Sequence, residues 1–204
     1  IDKKTKIENL TNKSFTSNLK NKKVININNI GKYILINLSN NHTLIIHQKI
    51  SGHLLFGKFI KIKNQLQIKN KKSLLNDPVN KFIHFALKFD NNWLALSDSR
   101  RLARITLIPT SKILTIKPLK QIGLNPLSSK WTFENFKQKL LNHNIDIKKA
   151  LLSQNIISGL GNIYSDEVLF KSKIHPKRKI STLTSKDLKQ IGRASCRERV
   201  YHPV

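Results

Sequence analysis

"SGLGNIYSDEVLFKSKIHP", residues 158–176, sets two glycines in a polar turn and follows them at once with a run whose apolar residues crowd every side of a helix. Gly159 suits the left-handed residue that closes a preceding helix, and Gly161 has no side chain to keep a foreign backbone away. Asn162 reads as the N-cap of the next helix, with Asp166 and Glu167 in or near its first turn. At about 100° per residue, Ile163, Tyr164, Val168, Leu169 and Phe170 surround nearly the whole circumference, so the spacing predicts a buried helix. A buried helix that opens through a glycine turn presents fixed amides to an anion such as a phosphate. The plainer alternative is a simple cap joining two core helices, and the turn by itself leaves both open.

Helical spacing continues on both sides. "IKKALLSQN" (147–155) is the helix before the turn and "NIYSDEVLFKS" (162–172) the helix after it. "TFENFKQKLLN" (132–142) places Phe133, Phe136 and Leu140 on one face behind Thr132 as N-cap, and "STLTSKDLKQI" (181–191) is a fourth helix. Upstream of Pro109 the pattern changes to short β-rich runs broken by polar turns. "KYILINL" (32–38), "TLIIHQ" (43–48), "LLFGKFIKI" (54–62), "KFIHFALKF" (81–89) and "ARITLIP" (103–109) carry β-branched and aromatic residues between polar turns. In 81–89, Ile83, Phe85, Leu87 and Phe89 alternate with Phe82, His84, Ala86 and Lys88, which predicts one buried face. "LSNNHT" (38–43) is hairpin chemistry. The order of elements predicts an α+β chain: an antiparallel β-sandwich over 1–116, a linker with Gly and Pro over 117–130, and a helical domain over 131–191. "GRASCRERVYHPV" (192–204) holds Arg193, Arg197, Arg199 and the only cysteine, and is expected to be foreign sequence from a cloning or sequencing adapter.

The chain has 204 residues, with 38 Lys and Arg against 11 Asp and Glu, a formal charge of +27. Such an excess repels itself unless a polyanion is the usual neighbour, which favours nucleic acid first and an anionic membrane second. The abundance of Lys, Asn and Ile together also fits a mutational bias, so charge alone does not decide the partner. No apolar run is long enough to span a bilayer, and a cytoplasmic protein is expected. With one cysteine, Cys196, the chain can form neither an internal disulfide nor a paired-cysteine zinc site. No cofactor or metal is expected in this chain, and a monomer is the default.

The quoted turn resembles the helix-two-turn-helix signature of the formamidopyrimidine-DNA glycosylase and endonuclease VIII family. "GKYILINL" (31–38) followed by "LIIHQKISGHLLF" (44–56) is similar to the family's strand pair with its H-L-x-M-S-G-x-L motif. "SDSRRLARI" (97–105) looks like its D-x-R-R-F-G-R segment, and "IGLNPLS" (122–128) like its interdomain stretch. The resemblance covers roughly residues 22–190 and implies a base-excision repair DNA glycosylase with AP lyase activity. Such an enzyme flips an oxidised base out of duplex DNA and attacks the sugar with an N-terminal proline to give a Schiff base. The chain opens "IDKKTKIENL", without that Pro-Glu start, and the family's C-terminal zinc finger of four cysteines is also missing. The resemblance therefore reads the chain as truncated at both ends, binding better than it cuts, in a bacterial or organellar nucleoid. A non-catalytic binder of DNA or rRNA is the alternative, since a helix-two-turn-helix also occurs in a basic ribosomal protein.

Carried over position by position, the resemblance makes Lys32 the catalytic lysine that contacts the phosphate beside the lesion. Ile50 stands where a methionine wedge fills the hole left by the flipped base, and Leu102 replaces a wedging phenylalanine. Arg100 matches the arginine that enters the gap, Asn162 the asparagine that holds the flanking phosphate, and Lys148 a lysine near the backbone, with Lys149 able to serve equally. Gly161 and Ile163, beside Asn162, and His84 complete the expected DNA contacts; Phe82 stands where a second histidine is often found. Each has a plainer alternative: solvated charge for Lys32, a core residue for Leu102, an ion pair with Asp98 for Arg100, a strand-face residue for His84.

Overall fold

β-branched and aromatic side chains at alternate positions favour extended chain because they pack on a pleated surface. The β-rich runs form strands in the computed structural model, which describes residues 7–8, 11–62, 65–68 and 77–201. The chain divides into two units, residues 1–29 with 33–113 and residues 30–32 with 114–204.

The first unit contains β1 (Ile7–Glu8), α1 (Asn12–Leu19), β2 (Val24–Ile30), β3 (Tyr33–Leu38), β4 (His42–His47), β5 (Gly52–Gly57), β6 (Phe59–Ile62), β7 (Gln65–Ile68), β8 (Ile83–Phe89), β9 (Asn92–Asp98) and β10 (Arg104–Pro109). A five-stranded sheet runs β1-β10-β4-β3-β2 and a three-stranded sheet β5-β9-β8, with β6 and β7 as a separate hairpin. Leu44 opposes Leu107 on one side and Ile36 on the other. These residues meet Phe85 and Leu96 from the second sheet in a shared core, which makes the unit a sandwich. The run 54–62 is two strands, β5 and β6, in different sheets.

The expected single-period face of β8 is corrected by the structure. A register shift between Ile83 and Phe85 turns Phe85 and Leu87 toward the main core, while Ile83 and Ala86 pack with Leu55, Phe59 and Ala95. One irregular residue is enough to swap faces, because the side-chain period is two. Helix α1, unread from the sequence, is started by Thr11, whose hydroxyl accepts from Ser14 N–H at 3.3 Å. Its Phe15 is fully buried and meets Phe85 edge-on, with ring centroids 6.0 Å apart.

The second unit holds α2 (Lys117–Lys120), α3 (Phe133–Leu141), α4 (Ile147–Leu152), α5 (Asn162–Lys171) and α6 (Ser185–Tyr201). Thr132 caps α3 as expected, accepting from Asn135 N–H at 3.2 Å. Phe136, Leu140, Ile147, Leu151, Ile157, Val168 and Ile191 are among the residues of its core. Within the stretch read as a linker, Leu119 is buried and residues 123–124 pair with the turn after α4. Gly123 N–H donates to the Gln154 carbonyl at 2.8 Å and Leu124 N–H to Ile156 at 2.9 Å, while Ser158 N–H donates back to Leu124 at 2.9 Å. A Cβ on Gly123 would lie 2.4 Å from the Ile156 carbonyl, so only glycine allows this approach. Helix α6 starts on a capping box between Thr184 and Asp187 and runs on past Ile191 through Gly192 to Tyr201.

Replacing Phe15 with Ala is expected to lower stability by about 3–5 kcal/mol through the cavity left between α1 and the sheets. Chemical denaturation of the variant checks this, and a loss below about 1 kcal/mol would show that α1 is not part of the core.

Candidate nucleic-acid interface

The turn between α4 and α5 is built around one side chain. Gln154 accepts from Gly159 N–H through Oε1 at 2.8 Å, and its Nε2 donates to the carbonyls of Leu152 at 3.0 Å and Leu160 at 2.9 Å. Gly159 takes φ +87°, the left-handed conformation expected of it. The amide of Gln154 thus stands in for backbone pairing that a chain reversing this tightly cannot make with itself.

Helix α5 begins one residue earlier than the sequence suggests. Gly161, not Asn162, is its N-cap, and no side chain caps the first turn. Asn162 is the first helical residue, with its side chain exposed, and Asp166 and Glu167 fall outside the first turn. The helix is also not buried on every side. Ser165, Val168 and Leu169 face the core, whereas Ile163 and Phe170, seven residues apart and so on one stripe, are 77% and 82% exposed. Apolar composition overstated burial because this helix is covered on one side only.

Two positive features meet at this helix end. An uncapped N-terminus carries the positive end of the helix dipole and unpaired N–H groups. The Nζ of Lys32 lies 3.4 Å from the position a Cβ would take on Gly161. Lys32 arrives there because residues 30–32, the tip between β2 and β3, belong to the helical unit. Gly31, at φ +58°, has so little room that a Cβ would be 3.0 Å from Ile122 Cδ1 and 3.5 Å from Ser158 Cβ. Lys148 reaches the same helix from α4, pairing with Asp166 at 2.6 Å. Lys149 points elsewhere, to Asp146 at 3.2 Å, which also holds Lys179 at 2.8 Å. Hydrogen bonds from Lys179 and then Lys149 hold the Asp146 carboxyl below the usual carboxylate range. Of the two candidate lysines, Lys148 is therefore the one attached to α5.

The other predicted residues sit in the sandwich. Ile50 lies in the β4–β5 turn and Leu102 between β9 and β10; both are exposed, so Leu102 is not a core leucine. Arg100 has an exposed side chain and meets Asp98 through its backbone N–H at 3.2 Å, not through its guanidinium. Asp98 is occupied by its own turn. Burial pushes its pKa up, but bonds from Ser51, Ala103, Arg100 and Leu102 outweigh that and hold it below the usual carboxylate range. His84 donates from Nε2 to the Asp98 carbonyl at 2.9 Å, which ties it to the same turn. Sequence reasoning missed Gln154 and Ser51 and misread Asp98. The Asx-turn tendency of aspartate was a usable signal for Asp98; Gln154 gave none, since its partners exist only once the turn has formed.

No group of three or more His, Cys, Asp or Glu side chains that could hold a metal occurs among the described residues. Among the described residues no helix is long and apolar enough to cross a membrane.

An antiparallel sandwich followed by a helix-two-turn-helix unit, with basic residues displayed on both, defines an α+β class of protein also seen in solved complexes with DNA. Residues 1–105 match the formamidopyrimidine-DNA glycosylase N-terminal domain and residues 122–197 the formamidopyrimidine-DNA glycosylase H2TH domain. The chain belongs to the formamidopyrimidine-DNA glycosylase family. It is 33% identical over 181 residues to the formamidopyrimidine-DNA glycosylase of Pelotomaculum thermopropionicum, covering 88% of this chain and 60% of that protein. The Ureaplasma parvum protein of the same name is 32% identical over 192 residues, covering 94% and 64%. Among solved structures, the Lactococcus lactis glycosylase non-covalently bound to DNA with an AP site matches with a TM-score of 0.75 at 27% identity, covering 91% of this chain and 65% of that one. The chain thus spans less than two thirds of the length of these relatives.

Gln154→Ala is expected to cost about 1–3 kcal/mol, since it leaves one N–H and two carbonyls of the turn without their partner. Faster amide exchange at Gly159, measured by NMR, would accompany the loss; unchanged exchange and stability would remove Gln154 from its structural role.

Proposed function

We propose that the chain belongs to a base-excision repair DNA glycosylase with AP lyase activity on oxidised bases in duplex DNA, and that it is the part that grips and opens the duplex. The observation that carries this reading is the placing of the Lys32 ammonium beside the uncapped start of α5. A phosphodiester oxygen there meets a full positive charge, backbone N–H donors and the Asn162 amide together. Lys148 adds charge on the same helix, and Ile163, exposed beside Asn162, supplies an apolar contact to the sugar edge. In the sandwich, Arg100 is free to reach a base edge or phosphate, while Ile50 and Leu102 are shaped to part a base step. His84 serves by holding the turn that carries Arg100.

In the reaction proposed for the whole enzyme, a secondary amine attacks the sugar C1′ and expels the damaged base. The resulting iminium withdraws electrons from the sugar, so a proton leaves C2′ and the 3′ phosphate departs by β-elimination. Lys32 would hold the phosphate during these steps and neutralise charge as it departs. The 204 residues contain no Pro-Glu pair to supply the amine. For the 204-residue polypeptide the proposal is binding without cleavage, and a purely binding protein is the second reading. The sandwich with its "KISGH" and "SDSRRLARI" loops argues against an rRNA-binding version of it.

The expected result is tighter binding to a duplex with an abasic site than to an intact one, a steep fall in affinity with salt, and no borohydride-trapped adduct. Asn162→Ala and Arg100→Ala should each weaken binding by about 1–3 kcal/mol. Unaltered affinity in both variants would reject the assigned contacts; no preference for the abasic duplex would reject the glycosylase reading.

A further inference from the structure

We propose that Asp98 is a positioning residue whose buried carboxylate locks the two loops bearing Ile50 and Leu102 into one rigid apolar wedge. This rests on the DNA-opening reading above and names the part of the fold that makes the opening possible.

Ile50 is 76% exposed and Leu102 45% exposed, and each follows a non-glycine residue in the left-handed region, Lys49 at φ +59° and Arg101 at φ +54°. Side chains other than glycine take that conformation only where their surroundings enforce it, and such positions gather at functional sites. The Lys49 turn closes on its own bonds, Lys49 N–H to His47 Nδ1 at 3.0 Å and Gly52 N–H to the Gln48 carbonyl at 3.1 Å, and a single side chain ties it to the Arg101 turn. Asp98 is 1% exposed; its Oδ1 accepts from the Ser51 hydroxyl, across to the other loop, and from Arg100 N–H at 3.2 Å. Its Oδ2 accepts from Ala103 N–H at 2.7 Å, on the far side of Leu102. Arg100 N–H also donates to Ser51 Oγ at 3.3 Å, and Arg101 N–H donates to the Asp98 carbonyl at 3.3 Å. The loops touch closely enough that a Cβ on Gly52 would lie 3.1 Å from Ala103 Cβ.

A carboxylate is a poor neighbour for DNA when exposed, because it repels phosphates. Buried under donors from both loops it serves instead as a fixed acceptor, and the two apolar tips keep one separation. The loops are then ordered by folding and not by contact with the duplex, which reduces the entropy lost on binding. The Ser51–Asp98 bond is the only one of these in which a side chain of the first loop meets the carboxylate of the second, so it is the bond to remove.

The test uses the 204-residue chain, a duplex with 2-aminopurine beside a tetrahydrofuran abasic analogue, and an intact duplex of the same sequence. Ser51→Ala should lose roughly fivefold of its preference for the abasic duplex, with a weaker rise in 2-aminopurine emission. Its melting temperature and salt dependence should remain those of the parent, a combination that general loosening would not give. In an Ile50→Ala, Leu102→Ala background the same change should have no further effect. Asp98→Asn should behave as Ser51→Ala or worse, and if it fails to fold, Ser51→Ala decides alone. Full preference retained in Ser51→Ala, or a loss that adds in full to the wedge-free background, overturns the clamp while leaving the glycosylase reading intact. A parent without any preference overturns that reading and the wedge together.

Discussion

The interaction on which the site depends is the seating of residues 30–32 within the second unit. Gly31 bends through a conformation closed to most residues and settles against Ile122 and Ser158. That contact delivers Lys32 to the mouth of α5. Without it Lys32 would be one more mobile cation on a chain that has a formal charge of +27. With it the ammonium is held where a helix already presents its positive end. Position, and not the amount of charge, separates a binding site from a solvated surface.

The same logic organises the rest of the second unit. Gln154 closes the turn before α5, and residues 122–124 brace it from the other side. Two carboxylates of this unit are held by neighbouring cations: Asp166 by Lys148, and Asp146 by Lys149 and Lys179. In the first unit Asp98 is withdrawn into its turn. These three aspartates are thus used for internal pairing, and with 38 Lys and Arg against 11 Asp and Glu the net potential stays positive and suited to a phosphate backbone.

What could be read from the sequence follows from where each signal originates. The strands at 32–38, 43–48 and 103–109 were legible because each carries a dense run of aliphatic and β-branched residues that the sheet buries, among them Leu35 and Ile36, Leu44 to Ile46, and Ile105, Leu107 and Ile108. Strand β2 was not legible, since it lies at a sheet edge with Ile25 and Ile27 exposed and asparagines between them. Helix α1 has only Phe15 and Leu19 to mark its face. Asn162 was misplaced by one position because glycine is also an acceptable N-cap and the local sequence allows either. Arg100 was paired with Asp98 by proximity in sequence, whereas the backbone of the turn takes the carboxylate first. Lys32 and Asn162 were legible only through family resemblance, because their partner groups come from segments more than a hundred residues apart.

The claim at the centre is that one phosphate is held jointly by the start of α5 and Lys32. Amide chemical shifts of Gly161, Asn162 and Ile163, followed as a short abasic-site duplex is added, address it directly. The account predicts large shifts at these three amides in the parent chain and strongly reduced shifts in Lys32→Gln at the same DNA concentration. Amides that stay in place while shifts cluster elsewhere, or shifts identical with and without the Lys32 charge, would contradict it.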